Sequence, residues 1–441
     1  MACYMRAHID DADFAARFGD LQAMKREQSV DVNEAVSAII DDVRARGDAA
    51  LIELTEKFDR QKLTADTLRI SDAEIDAAFD AVNADTKVAL QLAADRIADF
   101  HTRQKPADDR FTDASGVELG HRWGAVDAAG LYVPGGLANY PSSVLMNAIP
   151  ARVAGVPRVV MLVPTPDGLV NPLVLVAARL AGVDEVYRIG GAQAIAALAY
   201  GTDTIAPVNV IVGPGNAYVA AAKKQVFGQV GIDMIAGPSE ILVAADTQND
   251  PAWMAADLLS QAEHDAVAQS IFICDDNAYA DAVADAVEAA LKVLPRQEIA
   301  RKSWEAFGAI LVVNDLMVDA PALINELAPE HLELAVEDPE AMAADIRHAG
   351  AIFMGRYTPE AIGDYIAGPN HVLPTARAAR YASGLSVLNF MKRSSLVKCD
   401  AASLSAIGPA AVQLAAEEGL HAHGRSIAIR LNMPALSDED K

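Results

Sequence analysis

The chain has 441 residues, more than one hydrophobic core normally serves, so two or three domains are expected. With 52% hydrophobic and 22% charged residues, it has the balance of a globular rather than a disordered protein. Its formal charge of −25, from 61 acidic and 36 basic side chains, argues against a nucleic-acid partner, whose phosphates demand Lys and Arg. It argues equally against an anionic membrane surface and favours small-molecule chemistry.

The opening stretch, MACYMRAHIDDADF, carries charges throughout and lacks the apolar segment of a signal peptide. No stretch reaches the roughly 18 uninterrupted apolar residues that span a bilayer. Cys3, Cys274 and Cys399 supply neither a disulfide framework nor a C-x-x-C metal pair, so a reducing, cytoplasmic setting is expected.

The first hundred residues read as helical. VDVNEAVSAIIDDVRARGDAALIELTEKFD spaces its apolar side chains as a helix does, with Gly47 suited to an end-cap between two helices. From about 125 the pattern changes. RVVMLVPT, EVYRIGG and VNVIVGPGN are buried-strand runs separated by the helical PLVLVAARLAG and AQAIAALAYG. Strand–helix alternation with short glycine turns predicts a parallel, doubly wound sheet covered on both faces. A second block alternates SIFICDD, GAILVVND, HLELAV and AIFMG with helices such as AYADAVADAVEAALKVL and DPEAMAADIRHAG. The fold class expected is therefore α/β, with two Rossmann-like doubly wound domains, a cleft between them, and small N- and C-terminal extensions. The tail combines a helix, SAIGPAAVQLAAEEG, with a strand-like SIAIRLN, and is too small for a core of its own.

Four places could carry chemistry. The turns YVPGG, RIGGAQ and VGPGN end strands where backbone amides can hold phosphate, though none is a G-x-G-x-x-G and each is open to a purely structural reading. In DLLSQAEHDAVAQ, read as helical, Gln261 and His264 share a face; the pair can serve a metal, though Gln is an uncommon ligand and a lone helical histidine is more often surface or core. AIGDYIAGPNHVLPT sets Asp364 near Asn370 and His371, in either a functional loop or an elaborate turn. EEGLHAHGRS holds Glu418 and His423, which are stray polar residues unless the tail reaches a cleft. Gln261, His264, Asp364 and His423 would together form a mixed N/O shell suited to zinc. Finally, NELAPEHLEL places Glu330 and His331 side by side after Pro329, where neighbours on a helix would diverge by about 100°. In a turn, the two can aim into one cavity from different directions.

Taken in order, GLYVPGGLANYPSSVLMNAIPARVAGV, GGAQAIAALAYGT, GPGNAYVAAAKKQVFG, IDMIAGPSEILVAAD, DLLSQAEHD, APEHLEL, GDYIAGPNHVLPT and EEGLHAHGRS resemble the histidinol dehydrogenase family across nearly the whole chain. The resemblance implies NAD-dependent oxidation of L-histidinol to L-histidine through L-histidinal. It implies one Zn²⁺ per subunit on Gln261, His264, Asp364 and His423, with Glu330 and His331 handling protons. NAD contacts would fall on Tyr132, Gln193 and Asn216. Substrate contacts would fall on Ser239 and Glu418, besides His331 and the four metal ligands. It further implies a cytoplasmic homodimer that exchanges its C-terminal pieces. The corresponding domains are an extension at 1–28, a discontinuous α/β domain of 29–125 plus 242–384, an NAD-binding domain at 126–241, and a dimerisation extension at 385–441.

An aldehyde dehydrogenase-like thioester is not expected, because Cys274 lies inside a strand and neither Cys3 nor Cys399 falls in any motif; water needs a base instead. His331 suits the alcohol step and Glu330 the activation of water. A relative acting on a sulfonated propanediol is the nearest rival, and Glu418 would repel such a substrate. A metal-binding regulator and a zinc hydrolase are more distant alternatives. Asn389, in SGLSVLNF, stands where many relatives are expected to carry an acid, outside the proposed site.

Overall fold

The computed structural model describes residues 4–24, 32–135, 140–235 and 237–434. Cys3 and Gly136, the second glycine of YVPGG, lie outside these. The chain forms two compact units: Met1–Gln104 with Val126–Phe390, and Lys105–Ala125 with Met391–Lys441.

The larger unit contains two parallel sheets of the same design. One runs in the spatial order Glu185–Tyr187, Arg158–Leu162, Ala128–Tyr132, Val210–Val212, Gly231–Ile232. Numbered along the chain, that order is 3-2-1-4-5, the doubly wound pattern. The other runs Met5–His8, Ala309–Val312, Gln269–Cys274, Glu240–Ala245, His331–Ala335, Ala351–Met354. Its last five strands repeat the same order, with Met5–His8 added at the edge. All pairings in both sheets are parallel. The α/β expectation of two Rossmann-like domains is met.

Alternation along the strands of the larger sheet divides its core. Val243, Phe272 and Ile310 pack on one face with Leu258, Val283 and Trp304. Leu242, Ile271 and Leu332 pack on the other with Phe18, Leu21 and Leu327. The helices start where the sequence provides caps: the Asp250 carboxylate accepts from Ala252 N–H at 2.9 Å, and Pro251 takes the first turn.

The smaller unit is a three-stranded antiparallel sheet, Met391–Lys398, Glu118–Ala125 and Asp109–Thr112, with the helices Ala401–Glu417 and His421–Ala428. SIAIRLN was expected to be strand-like but continues a helix into a 3₁₀ turn, Ile429–Leu431. The reason is tertiary. Ile427 and Leu431, four apart, lean on Gly408 so closely that a Cβ there would meet Leu431 Cδ1 at 2.6 Å. Other departures are local. Met5–His8 is a strand because it pairs with Ala309–Val312. The helix expected across DPEAMAADIRHAG spans only Pro339–Ala344. The helix carrying Gln261 ends at Ala262, so His264 sits in the following turn rather than on the helix. No helix among the described residues is long and apolar enough to cross a membrane.

Candidate active site

Glu330 and His331 stand at the amino end of the strand His331–Ala335, beside the first residue of Glu240–Ala245. Glu240 holds both. Its backbone N–H donates to Glu330 Oε2 at 2.9 Å, and its carbonyl accepts from His331 Nδ1 at 2.9 Å. Because a carbonyl can only accept, Nδ1 carries the proton, leaving Nε2 of a neutral ring as the basic nitrogen. Among the described residues Nε2 makes no hydrogen bond, and its nearest charged neighbour is Glu360 Oε1 at 3.5 Å. Both residues are buried. Two backbone groups of one neighbouring residue therefore place an acid and an imidazole in the same pocket.

Burial sets the protonation of this cluster. It pushes the Glu330 carboxyl well above the usual range, helped by the charges of Glu240, Asp364 and Glu360. Burial also lowers the His331 pKa, and His264 and His371 add to this, while Asp364 and the bond to Glu240 oppose it. Glu360, raised to about 8, lies beside Ser260, whose hydroxyl donates to Oε2 at 3.4 Å. Behind it Glu333, raised to about 9, shares a hydrogen bond with Asp257, raised to about 6.

Asp364 lies on the short helix Ala361–Tyr365, one turn beyond Glu360. His331, Glu360 and Asp364 each bring one possible ligand atom to within 4.8 Å of the others. Asp364 Oδ1 is 3.6 Å from His371 Nδ1, which donates to the Asp364 carbonyl at 3.1 Å. Ser143 donates to His371 Nε2 at 3.4 Å from the helix Pro141–Ala154, which belongs to the five-stranded sheet. His371 thus ties the Asp364 loop to the other sheet. Gln261 is buried, and neither its Oε1 nor its Nε2 has a hydrogen-bond partner among the described residues. A native protein rarely leaves such groups unpaired, so this side chain has the character of a waiting ligand. A carboxylate, an amide oxygen and an imidazole from Asp364, Gln261 and His264 fit a zinc-type donor set. His264 is exposed at the turn but close enough for its charge to bear on His331 and His371.

The glycine turns lie at the carboxyl ends of the five-stranded sheet. Tyr132 ends its strand, and its hydroxyl, pushed up to about 12 by burial, accepts from Gly191 N–H at 3.2 Å. Gly213 adopts φ +109°, and a Cβ there would lie 2.1 Å from Tyr132 O, so only glycine permits this approach. Behind the turn the buried Lys223–Asp233 pair grips it: Lys223 Nζ donates to Gly213 O at 3.0 Å, and Asp233 Oδ2 accepts from Gly213 N–H at 2.8 Å. Gln193 is buried on the helix Gly191–Tyr200, while Asn216 caps the helix Ala217–Val226 through Tyr218 and Val219 N–H groups at 3.1 and 3.2 Å. Tyr132 and Asn216 flank the point where the strand order reverses, the usual ligand position of such sheets.

Ser239 directly precedes Glu240. Glu418 and His423 belong to the smaller unit, where both side chains are exposed. Cys274 is buried in the strand Gln269–Cys274, its thiol pushed up to about 11, which removes it as a thiolate nucleophile. Sequence reasoning missed Glu240 and Glu360. Glu360 had a signal, its four-residue spacing from Asp364 in TPEAIGDY; Glu240 acts mainly through its backbone, which no side-chain pattern records.

Two doubly wound sheets with glycine turns on one and a buried acid–imidazole cluster on the other define an α/β enzyme of acid–base type. A family model described as histidinol dehydrogenase matches residues 22–431. Histidinol dehydrogenase of Rhodospirillum rubrum is 67% identical over 97% of this chain and 99% of its own. That of Rhodopseudomonas palustris is 62% identical over 97% and 100%. The crystal structure of histidinol dehydrogenase from Elizabethkingia anophelis superposes with a TM-score of 0.93 at 36% identity, covering 98% of this chain and 99% of that one. The chain belongs to the histidinol dehydrogenase family.

Proposed function

We propose that the chain oxidises L-histidinol to L-histidine with two NAD⁺, releasing L-histidine as a carboxylate with two NADH and three protons per water consumed. The single observation that carries the acid–base part is the Glu240 clamp, which fixes Glu330 and His331 with the imidazole Nε2 left basic. In the first oxidation His331 Nε2 takes the hydroxyl proton as hydride leaves the carbinol carbon for nicotinamide. The aldehyde then adds water as Glu330 takes one proton from it, which leaves the hydrate as its monoanion, and His331 passes its first proton to solvent. The second hydride leaves the hydrate, and His331 takes its hydroxyl proton. Asp364, Gln261, His264 and His423 would hold a zinc ion, which supplies Lewis acidity and a fixed point for the imidazole and amine of the substrate. Nicotinamide would lie near Tyr132, Gln193 and Asn216.

Ser239 would contact the polar end of the substrate, and Glu418 its cationic head. Glu418 and His423 come from the smaller unit; in the proposed homodimer, the C-terminal pieces would carry them into the partner's site. A sulfonated propanediol would be repelled by Glu418. The test is stoichiometry: two NADH per histidine from histidinol, abolished by chelation and restored by zinc. One NADH with accumulating aldehyde would refute the four-electron reading.

A further inference from the structure

On the opposite face of the larger sheet from His331 lies a second cavity, of about 340 Å³, near the lower end of the size range of ligand pockets. Leu21, Met24, Ile271 and Leu327 make its apolar wall; Gln22, Gln269, Arg377 and Glu240 are its polar members. Two polar groups in it lack partners among the described residues. Gln269 is 93% buried (7% exposed) and its Nε2 donates to nothing; Arg377 Nε is likewise buried and unbonded. Arg377 is also held in a left-handed backbone conformation, φ 64°, directly after Ala376 at φ 52°. Side chains other than glycine seldom adopt that conformation in succession, and here it brings the guanidinium to the cavity.

We propose that this cavity binds a small organic monocarboxylate with an apolar body. Arg377 and the Gln269 amide donate to the carboxylate, and the apolar wall covers the rest of the molecule. Glu240 makes the pocket relevant to the active site. Its carboxylate Oε1 accepts from Ala376 N–H at 2.9 Å, while its own N–H and carbonyl hold Glu330 and His331 on the other side of the strand. A ligand that moves the 376–377 turn is thereby felt by the catalytic pair.

Titration calorimetry on the zinc-loaded enzyme, without NAD⁺ or histidinol, tests the site independently of the reaction assigned above. Isovalerate probes a plain acid and L-leucine an α-amino acid. One molecule per chain is expected for at least one of them, with a Kd of about 1 mM or tighter. Arg377→Gln and Gln269→Leu should each weaken it about tenfold or more, the scale of one charged hydrogen-bonded contact, while His331→Asn, coupled only through Glu240, changes it by less than that. Arg377→Lys, which keeps the charge, should recover part of the loss, and matched circular dichroism establishes that the variants fold. No binding of either probe, or binding indifferent to both Arg377→Gln and Gln269→Leu, overturns the proposal. Binding abolished by His331→Asn places the probe in the active site instead and overturns it too.

Discussion

The two sheets of the larger unit have the same strand order and opposite uses. In the five-stranded sheet, backbone does the work: glycine turns crowd the carboxyl ends of the strands, with Gly213 pressed on Tyr132 and gripped by Lys223 and Asp233. In the six-stranded sheet, titratable side chains do it, and they gather at the amino ends, where Glu330, His331 and Glu240 begin or precede their strands. Topology alone points to the switch point of the first sheet, where the proposed nucleotide would sit, but misplaces the titratable cluster of the second. There the position of the side chains decides.

The sharpest way to break this comparison is to remove one member of the acid–imidazole pair. His331→Asn should lower kcat by about 10²–10⁴, the usual worth of positioned proton transfer, with cofactor binding to the glycine-turn sheet unchanged. Glu330→Gln should slow oxidation of supplied aldehyde more than that of the alcohol, read by single-turnover NADH formation. Equal losses in both steps would remove the division of labour between the two side chains.

The matching test on the other sheet is Gly213→Ala. Its Cβ would lie 2.1 Å from a backbone oxygen, in a conformation that L side chains resist. A loss of about 3 kcal/mol or more in denaturant unfolding is expected, from a clash of this kind together with backbone strain. The same turn is disrupted from behind by Lys223→Met, which leaves the Asp233 carboxylate buried without its counter-charge. The expected result is a raised KM for NAD⁺ with kcat for bound substrates nearly kept. Should kcat fall instead with KM constant, the turn would not be a cofactor element.

The contrast also explains what the sequence disclosed. Both sheets were legible, because continuous apolar runs alternating with helical ones are imposed by burial on two faces. Glu330, His331 and Asp364 were legible as polar residues in unusual positions, and the structure brings them into one cluster. Glu240 was not, since its contribution is two main-chain atoms facing the next strand. Nor was the small antiparallel sheet, whose strands Asp109–Thr112 and Met391–Lys398 lie far apart in the chain and are mostly exposed, so they lack a strong hydrophobic period. The helix read from 257 to 269 stops at Ala262 because the chain must turn to enter the strand Gln269–Cys274.

Gln261 allows the ligand role to be separated from turnover. With both amide atoms buried and unpaired, it costs stability in the metal-free protein, about 1–3 kcal/mol for such a group. Gln261→Leu should therefore stabilise the metal-free protein toward urea while weakening zinc binding about tenfold or more. A variant that is destabilised without metal and binds zinc normally would show that the amide is satisfied by water rather than by an ion.

The smallest effect expected is a pH dependence of stability to which a buried histidine outside the pair contributes. His101 is fully buried, with Nδ1 2.8 Å from the Ile97 carbonyl, and burial lowers its pKa below the ordinary value near 6.5. Here the folded pKa is depressed for a base, so the unfolded chain takes up the proton first. Stability is complete above pH 6.5 and falls as pH drops from there to the folded pKa, by up to about 1.4 kcal/mol per pH unit for one such histidine. His331 and His371 are lowered in the same direction and add to the slope. His101→Gln should make the fall between pH 6.5 and 5.5 shallower in urea titrations, while the contributions of the two site histidines persist. An unchanged slope would mean that His101 is already protonated in the folded protein, with its burial offset by carbonyl acceptors.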